Sequence, residues 1–554
     1  MKKILFIRVP EIEYNEQSTD VRNVSVASLT IPLGITYLAA MIIQDGRYDV
    51  KILDLYAENY LDFISEHKED PKNVLNISNK KIIEYISRYQ PDIIGFSALF
   101  LFQHSLTKEL IATVKRNFPH IKIHLGGYPT IIPEIVMKDI PELDVLFIGE
   151  SENSIIQVLD AETKGNNFYS IDGIAFRDGK KVQINKSLNL VKDLDTLPFP
   201  AFDLLPLEKY KKIIGKNEFP LMTTRGCPFS CAFCSSKLYS KRGLRVRSVT
   251  NLLEEMEILR NKYAIDFLMI RDDNFIVNKG RTKKFLQAVI KRNLTVPWLD
   301  SSGFHVNSID EELLDLCKAT GCKEIIFAIE SGSPRVLKEI MNKNVNLEHA
   351  KRMAEYCRKI DLLVQCYFVI GNPGETREEI MQTIEFAKEI QVDHCTFSLA
   401  TPFPGTQYYD IAIKNNYLIH DSDYILGMKY MEANMETENF TPEWLKDTQY
   451  DANIKVNFLE NKNLSGSKET LTKSRDFFAR VYQQYNFHAV AHLIEGYLEG
   501  RLGDLNRQNV IFEEVRYMLQ EEYINKAYAK YIEWDTAPTN CYWQWLESQK
   551  TGNK

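Results

Sequence analysis

No apolar run in the chain approaches the ~20 residues that a membrane-spanning helix needs, and no internal repeat or low-complexity tract interrupts it. Cationic excess is also missing. With 68 Lys and Arg against 75 Asp and Glu, the net charge is -7, which leaves no basic footprint for nucleic acid. Cysteine is scarce, nine in 554 residues, and six of the nine (Cys317, Cys322, Cys357, Cys366, Cys395, Cys541) lack metal-ligand spacing. An odd count without a secretory signal argues against a disulfide framework and for a reducing, cytoplasmic compartment. The opening from Met1 to Arg8 begins like a signal peptide, but its apolar run stops at Arg8 and reads as a first strand. At 554 residues there is room for two or three domains with filled cores.

What is present is concentrated at Thr224-Arg225-Gly226-Cys227-Pro228-Phe229-Ser230-Cys231-Ala232-Phe233-Cys234. Spacings of four and three residues let the three thiols converge from one loop at the end of a strand. Soft thiolates select zinc, copper(I) or iron-sulfur clusters, and a cubane has four iron corners. Three ligands leave one iron open, the mark of a site where something binds and reacts. Buried cysteines in a turn, or a zinc site with a distant fourth ligand, are the alternatives, although Gly226 and Pro228 punctuate a loop rather than a core run. Beside the loop, Lys237, Lys241, Arg242, Arg245 and Arg247 form a basic patch that either faces an anionic ligand group or is solvated surface.

The CxxxCxxC loop resembles that of the radical SAM enzymes. The resemblance implies that Cys227, Cys231 and Cys234 hold a [4Fe-4S] cluster whose open iron is chelated by S-adenosylmethionine.

Ahead of the loop, from Met1 to about Asp160, strands and helices alternate. The strands are Ile4 to Val9, Val50 to Asp54, Ile93 to Ser97, Ile121 to Leu125 and Val145 to Ile148. A helix after Pro32 is expected to bury Leu33, Tyr37, Leu38, Ala39, Ala40 and Ile43. This alternation means a parallel, doubly wound sheet, which binds ligands at the carboxyl ends of its strands. Those ends carry Asp54, Ser97, Gly126-Gly127 and Gly149-Glu150, where glycine either admits a bulky ligand or serves a turn. Together with Ile31-Pro32-Leu33-Gly34 and Leu125-Gly126-Gly127-Tyr128-Pro129, they resemble the N-terminal cobalamin-binding domain of one large radical SAM class. The resemblance implies cobalamin contacts at Pro32, Leu33, Gly34, Ser97, Gly126, Gly127, Gly149 and Glu150. The Asp-x-His-x-x-Gly motif that supplies an axial histidine in many cobalamin proteins is absent.

The expected fold class is α/β, with a helical domain at the C-terminal end. A Rossmann-like cobalamin-binding domain (1–168) leads to a hairpin and linker (169–215), with Gly173 to Phe176 turning back to Lys181 to Ile184 through Asp178-Gly179. Six strand-helix repeats then suggest a partial (β/α)6 barrel (216–414), and a helical, aromatic-rich domain follows (415–554). In such barrels catalytic groups lie at the carboxyl ends of the strands. The second barrel strand ends in Asp272-Asp273, which can meet a ligand ammonium or cap a helix. The fourth ends in Glu330-Ser331-Gly332 and the fifth in Gly371-Asn372-Pro373-Gly374.

By resemblance, Asp272 and Asp273 lie near the amino group of S-adenosylmethionine, Glu330, Ser331 and Gly332 near its ribose and carboxylate, and Gly371 and Pro373 near the adenine. After the third strand, where many relatives carry arginine, Ser301-Ser302-Gly303-Phe304-His305 makes His305 a candidate proton acceptor or substrate contact, or a structural residue.

In the C-terminal part, Phe477, Phe478, Tyr482, Tyr485, Phe487, Tyr517, Tyr523, Tyr528, Tyr531 and Trp534 are expected mostly to fill a helical core. The implied activity is cobalamin-dependent methylation of an unreactive carbon on a small-molecule, lipid or peptide substrate. A 5′-deoxyadenosyl radical formed with an electron from a partner such as flavodoxin or ferredoxin would start the reaction. Radical cyclisation, rearrangement or carbon-carbon coupling is the alternative, and a non-enzymatic three-cysteine metal scaffold is the reading from another class. The absence of cluster cysteines before Cys227 disfavours a methylthiotransferase.

Overall fold

The computed structural model describes residues 1–11, 29–66, 72–127, 132–240, 243–419 and 432–532. Tyr128, Pro129, Lys241, Arg242, Trp534 and Cys541 lie outside them.

Near-continuous apolar sequence makes strands that are buried on both faces. Strands β1 (Lys2–Arg8), β2 (Tyr48–Asp54), β3 (Ile93–Ala98), β4 (Lys122–Gly127) and β5 (Val145–Phe147) are parallel in the order β2-β1-β3-β4-β5. The register sets Ser97 beside Gly126 and Ala98 beside Gly127. The hairpin β6 (Ile174–Asp178) and β7 (Lys181–Asn185) does not stand apart as a connector: β6 pairs antiparallel with β5 and extends the same sheet to seven strands. Gly179, at φ 59°, makes its turn. In the helix Leu33–Asp45 the buried face runs through Ile35, Thr36, Tyr37, Ala39, Ala40 and Ile42. Ile43, expected on that face, is 51% exposed, because it is turned one helical step away from Ile42.

The second unit carries six parallel strands in two halves. One half is β8 (Glu218–Leu221), β11 (Phe267–Ile270) and β12 (Trp298–Asp300). The other is β13 (Glu324–Glu330), β14 (Leu363–Ile370) and β15 (His394–Leu399). Parallel bridges at Trp298 with Cys322 and Phe304 with Phe327 join them. Between β8 and β11 a short antiparallel ribbon, β9 (Thr224–Arg225) with β10 (Arg245–Val246), brackets the cysteine loop.

One apolar core runs through the sheet and the barrel, while the described helices from Pro442 to Tyr528 surround their own, built on Phe478, Ile494, Leu498, Ile511 and Val515. Asn457 links the two regions: its side chain accepts from Cys395 N at 2.7 Å and donates to Cys395 O at 2.7 Å, covering the open edge of β15. The aromatic core is narrower than expected. Phe478, Tyr528 and Tyr531 are buried, whereas Phe477, Tyr485, Phe487, Tyr517 and Tyr523 are exposed. No helix among the described residues is long and apolar enough to cross a membrane.

Candidate functional site

The cysteine loop leaves β9 at Gly226, which has φ 85° and no room for a side chain against the carbonyl of Gly243. Backbone contacts then pin it down. Ala232 N donates to Met341 O at 2.9 Å, Ala232 O accepts from Tyr408 N, and Asn342 Nδ2 donates to Ser230 O. The thiols of Cys227, Cys231 and Cys234 are free and half-buried. Burial raises those of Cys227 and Cys231, the latter to about 11, and the neighbouring thiols add to the rise. Among the described residues no three His, Cys, Asp or Glu side chains form a ready-made site for a single metal ion. A cubane makes no such demand, because each thiolate binds a different iron.

Around the loop, the ends of the barrel strands leave several buried polar atoms without a partner: Thr224 Oγ1, Asn274 Oδ1, Asp300 Oδ2, His305 Nδ1 and Glu375 Oε1. Asn274 Nδ2 lies 4.0 Å from Cys227 Sγ. Unmet buried groups cost roughly 1–3 kcal/mol each, so their gathering at one mouth fits a ligand or water that completes them.

The structure separates the two adjacent carboxylates. Asp272 is buried and fully used, accepting from Thr223 N at 2.5 Å, from Thr224 N at 3.0 Å and from the Thr223 hydroxyl. Asp273 opens to solvent and, among the described residues, accepts only from Gly226 N, at 2.7 Å, with one oxygen. Glu330 sits at a β-bulge with φ 73°, a strained conformation for a non-glycine residue, and pairs with the buried Lys343 at 2.7 Å.

Ser331 and Gly332 face a helix instead of the mouth. Ser331 bonds Thr383, and a Cβ on Gly332 would come within 2.6 Å of Phe386. At Gly371 a Cβ would overlap Leu445, and Pro373 is buried. The loop they share is instead organised by Glu375, which accepts from Gly371 N, Asn372 N and Asn372 Nδ2 at 2.8–2.9 Å and which burial raises to about 7. His305 is buried and stacks on Phe229 of the cysteine loop, centroids 4.3 Å apart and planes at 15°. Burial lowers its pKa to about 4.

At the carboxyl ends of β3, β4 and β5, with Phe6 of β1 in its wall, lies a cavity of about 230 Å³. Of the residues expected there, Gly34, Ser97, Gly126, Gly127, Gly149 and Glu150 line it; Pro32 and Leu33 do not, being turned into the helix start. The glycines differ in kind. A Cβ at Gly34 or Gly126 would meet nothing within 4 Å, so these two leave open floor. At Gly127, φ 116°, a Cβ would overlap the Ala98 carbonyl; at Gly149, φ 75°, it would come within 3.2 Å of Tyr239 O. Glycine-floored space at strand ends fits a broad, flat ligand.

Glu150 lines this cavity but its carboxylate is held by the barrel. Arg245 grips it through two bonds at 2.8 and 2.6 Å, and Arg225 stands 3.4 Å away. Arg225 also bonds Glu152 at 2.6 Å and lines the cavity itself. Arg247 of the expected basic patch is buried with Glu255 at 2.5 Å, so neither described arginine of that patch waits for an anion. The sequence reading missed Arg225, Glu152 and Glu375. Only the position of Arg225, two residues before Cys227, signalled one of them.

Residues 221–387 match the Radical SAM superfamily, and residues 19–159 match the B12 binding domain. An uncharacterized methyltransferase of Pyrococcus horikoshii is 34% identical over 390 residues, covering 70% of this chain and 80% of that one. Cytidylyl-2-hydroxyethylphosphonate methyltransferase of Streptomyces wedmorensis is 30% identical over 440 residues, 73% and 82% of the two chains. Anaerobic magnesium-protoporphyrin IX monomethyl ester cyclase of Rubrivivax gelatinosus also matches, at 26% identity over 68% of this chain and 65% of that one. Among solved structures, the cobalamin-dependent S-adenosylmethionine radical enzyme OxsB shares the fold, with a TM-score of 0.65 at 16% identity over 100% and 85% of the chains.

Proposed function

The chain belongs to the radical SAM superfamily, in its branch with a B12-binding domain ahead of the radical SAM domain, and on that premise we propose that it methylates an unactivated carbon of a substrate held in the barrel. Its cofactors are a [4Fe-4S] cluster, S-adenosylmethionine and cobalamin. When bound, they supply one-electron chemistry and a transferable methyl group.

The observation that carries the reading is the position of Arg225. Its guanidinium lines the glycine-floored cavity, and its backbone lies two residues before Cys227. One residue therefore ties the cavity to the cysteine loop through two positions of chain, which supports a reaction that draws on both cofactors.

In this reading Cys227, Cys231 and Cys234 hold the cluster. Asp273 meets the ammonium of S-adenosylmethionine with its open carboxylate, and Glu330, fixed by Lys343, faces its ribose and carboxylate end. Asp272 supports the loop through Thr223 and Thr224. Gly34 and Gly126 leave space for the corrin, with Ser97 beside them. His305 supports the cysteine loop through its stack on Phe229, and its unpartnered Nδ1 keeps it a candidate substrate contact. Ser331, Gly332, Gly371 and Pro373 shape the walls from behind.

The test is metal content after anaerobic purification and reconstitution with iron, sulfide and hydroxocobalamin. About four irons per chain with retained cobalt is expected. The Cys227→Ala, Cys231→Ala, Cys234→Ala triple variant should lose the iron and keep the cobalt. Iron retained by that variant would remove the cluster assignment. Transfer of label from methyl-labelled S-adenosylmethionine to product separates methylation from the second reading, a cyclisation, which the cyclase relative favours.

A further inference from the structure

In a closed eight-stranded barrel the interior is filled by side chains. Here the inner face is open. Along β11, Phe267 and Met269 are partly exposed while Leu268 and Ile270 are buried; along β14, Gln365, Tyr367 and Val369 alternate in the same way with Cys366, Phe368 and Ile370. The buried set faces the surrounding helices, as Leu268 does against Met256 and Phe285, and Phe368 against Phe386. Successive side chains of a strand point to opposite faces, so the partly exposed set lines a lumen that solvent reaches.

Arg271 continues that inner face two residues beyond Met269. It differs from the other enclosed guanidinium groups. Arg8, Arg225, Arg245 and Arg247 each have a carboxylate within 2.5–2.6 Å. Arg281, without one, is held by four bonds to Thr223 and Arg247. Among the described residues Arg271 makes a single side-chain hydrogen bond, to Ser301 Oγ at 3.3 Å, and no carboxylate lies within ion-pair distance. Of the described acids around it, Glu218 pairs with Lys216 at 3.0 Å and Glu11 with Arg8 at 2.5 Å, while Asp300 accepts from Ser302 N with one oxygen and leaves the other unpaired, beyond ion-pair distance of Arg271. Burial lowers the pKa of Arg271, against which Glu218, Glu11 and Asp300 act only from beyond ion-pair distance, and burial raises the Asp300 carboxyl to about 7. An enclosed cation that gives up water without an acidic partner is costly unless something else meets it.

We propose that Arg271 anchors an anionic group of the substrate, a carboxylate or a phosphate, inside the barrel lumen, with the Ser301 hydroxyl as its neighbouring donor. This rests on the reading of the barrel as the substrate site. A planar guanidinium with four N–H groups outside its bond to Ser301 suits two-point recognition of an oxyanion.

The test labels the reconstituted full chain with phenylglyoxal and reads each arginine by peptide mass spectrometry. The probes are inorganic phosphate and succinate, with chloride at matched ionic strength. Without probe, Arg271 should react while Arg8 and Arg247 stay protected. Phosphate or succinate should slow its reaction about tenfold, the scale of one charge-assisted contact, and chloride should not. Which of the two protects assigns the class. Arg271→Met and Arg271→Lys are read by the rise in Tm that each probe produces, which should vanish in the first and persist in part in the second. An unchanged Arg271 labelling rate with both oxyanions would overturn the proposal, and so would protection by hydroxocobalamin alone, which would assign the guanidinium to the corrin side. Iron and cobalt measured on the same sample report failure of the cofactor reading separately.

Discussion

The carboxyl edge of the N-terminal sheet is closed on one side and open on the other. Below the ends of β1 and β2, Arg8 is buried with Glu11 at 2.5 Å, Asp54 at 3.3 Å and the Tyr210 hydroxyl at 2.7 Å, and Tyr210 in turn bonds Asp54. Tyr210 comes from the helix Leu207–Ile214 of the linker, so the chain folds back to shut this half with its own charges. Below β3, β4 and β5 the edge is made of small residues and remains a cavity. The difference teaches which residues at a strand end announce a ligand. Charged ends tend to be consumed by the protein, since a buried charge needs a partner, whereas small ends leave space. The barrel repeats the lesson with Asp272 consumed and Asp273 open.

Breaking the closed half should have the largest effect. Arg8→Met strands Glu11 and Asp54 as buried carboxylates, and about 3–5 kcal/mol of stability is expected to go, read as a lower Tm of the apo chain. Adding Asp54→Asn and Glu11→Gln should recover part of it; no recovery would mean that the arginine acts by packing alone. Next come two neighbouring glycines. Gly127→Ala forces a Cβ onto the Ala98 carbonyl at φ 116°, and strain of this kind costs of order 1–3 kcal/mol. Gly126→Ala meets only open space, so its stability should match wild type within about 0.5 kcal/mol, with Tm nearly unchanged, while cobalt retention falls. Equal losses of Tm in the two would collapse the distinction between backbone glycine and floor glycine.

Much of this was legible in the sequence. The apolar runs located the parallel strands to within one or two residues, because strands buried on both faces leave little choice of composition. The thiol spacing marked the loop, and the glycines after β3 to β5 marked the cavity. What stayed hidden depends on pairing across long stretches of chain. Arg245 meets Glu150 from 95 residues away, and Tyr210 meets Asp54 from 156. Nothing local to Arg245 distinguishes it from solvated surface, and nothing local to Gly332 says that Phe386 fills the place of its side chain.

The joint between the two open sites offers a smaller test. Glu150→Gln weakens both the Arg245 pair and the nearby Arg225 contact. These groups are only partly solvent-reached, at 12–16%, and about 1–2 kcal/mol is expected from the loss of charge-assisted bonds. Cobalt and iron contents should both persist, but the magnetic coupling between the reduced cluster and cob(II)alamin, measured by pulsed EPR, should broaden as the sites lose their fixed separation. An unchanged coupling would mean that the shared apolar core alone sets the distance.

The closed edge of the barrel provides the smallest effect, and one whose sign is set by pH. After β13, Arg335 grips Glu379 through two bonds at 2.6 Å, while Ser333 and the Thr376 cap complete its shell. The Arg335 hydrogen bond is the main cause that holds the Glu379 carboxyl down at about 2. A carboxyl whose folded pKa lies below its unfolded value stabilises the fold above that unfolded value, near 4.3. The contribution is therefore present at pH 7 and is lost as pH falls from about 5 towards 2. Because Arg335 is 43% exposed, solvent screening limits it to about 1 kcal/mol. Glu379→Gln should lower the Tm of the apo chain at pH 7, and the gap to wild type should shrink steadily below pH 5. A gap that stayed constant down to pH 3 would show that Glu379 acts through the shape of the helix cap, and that this edge, unlike the one below β1 and β2, is not closed by charge.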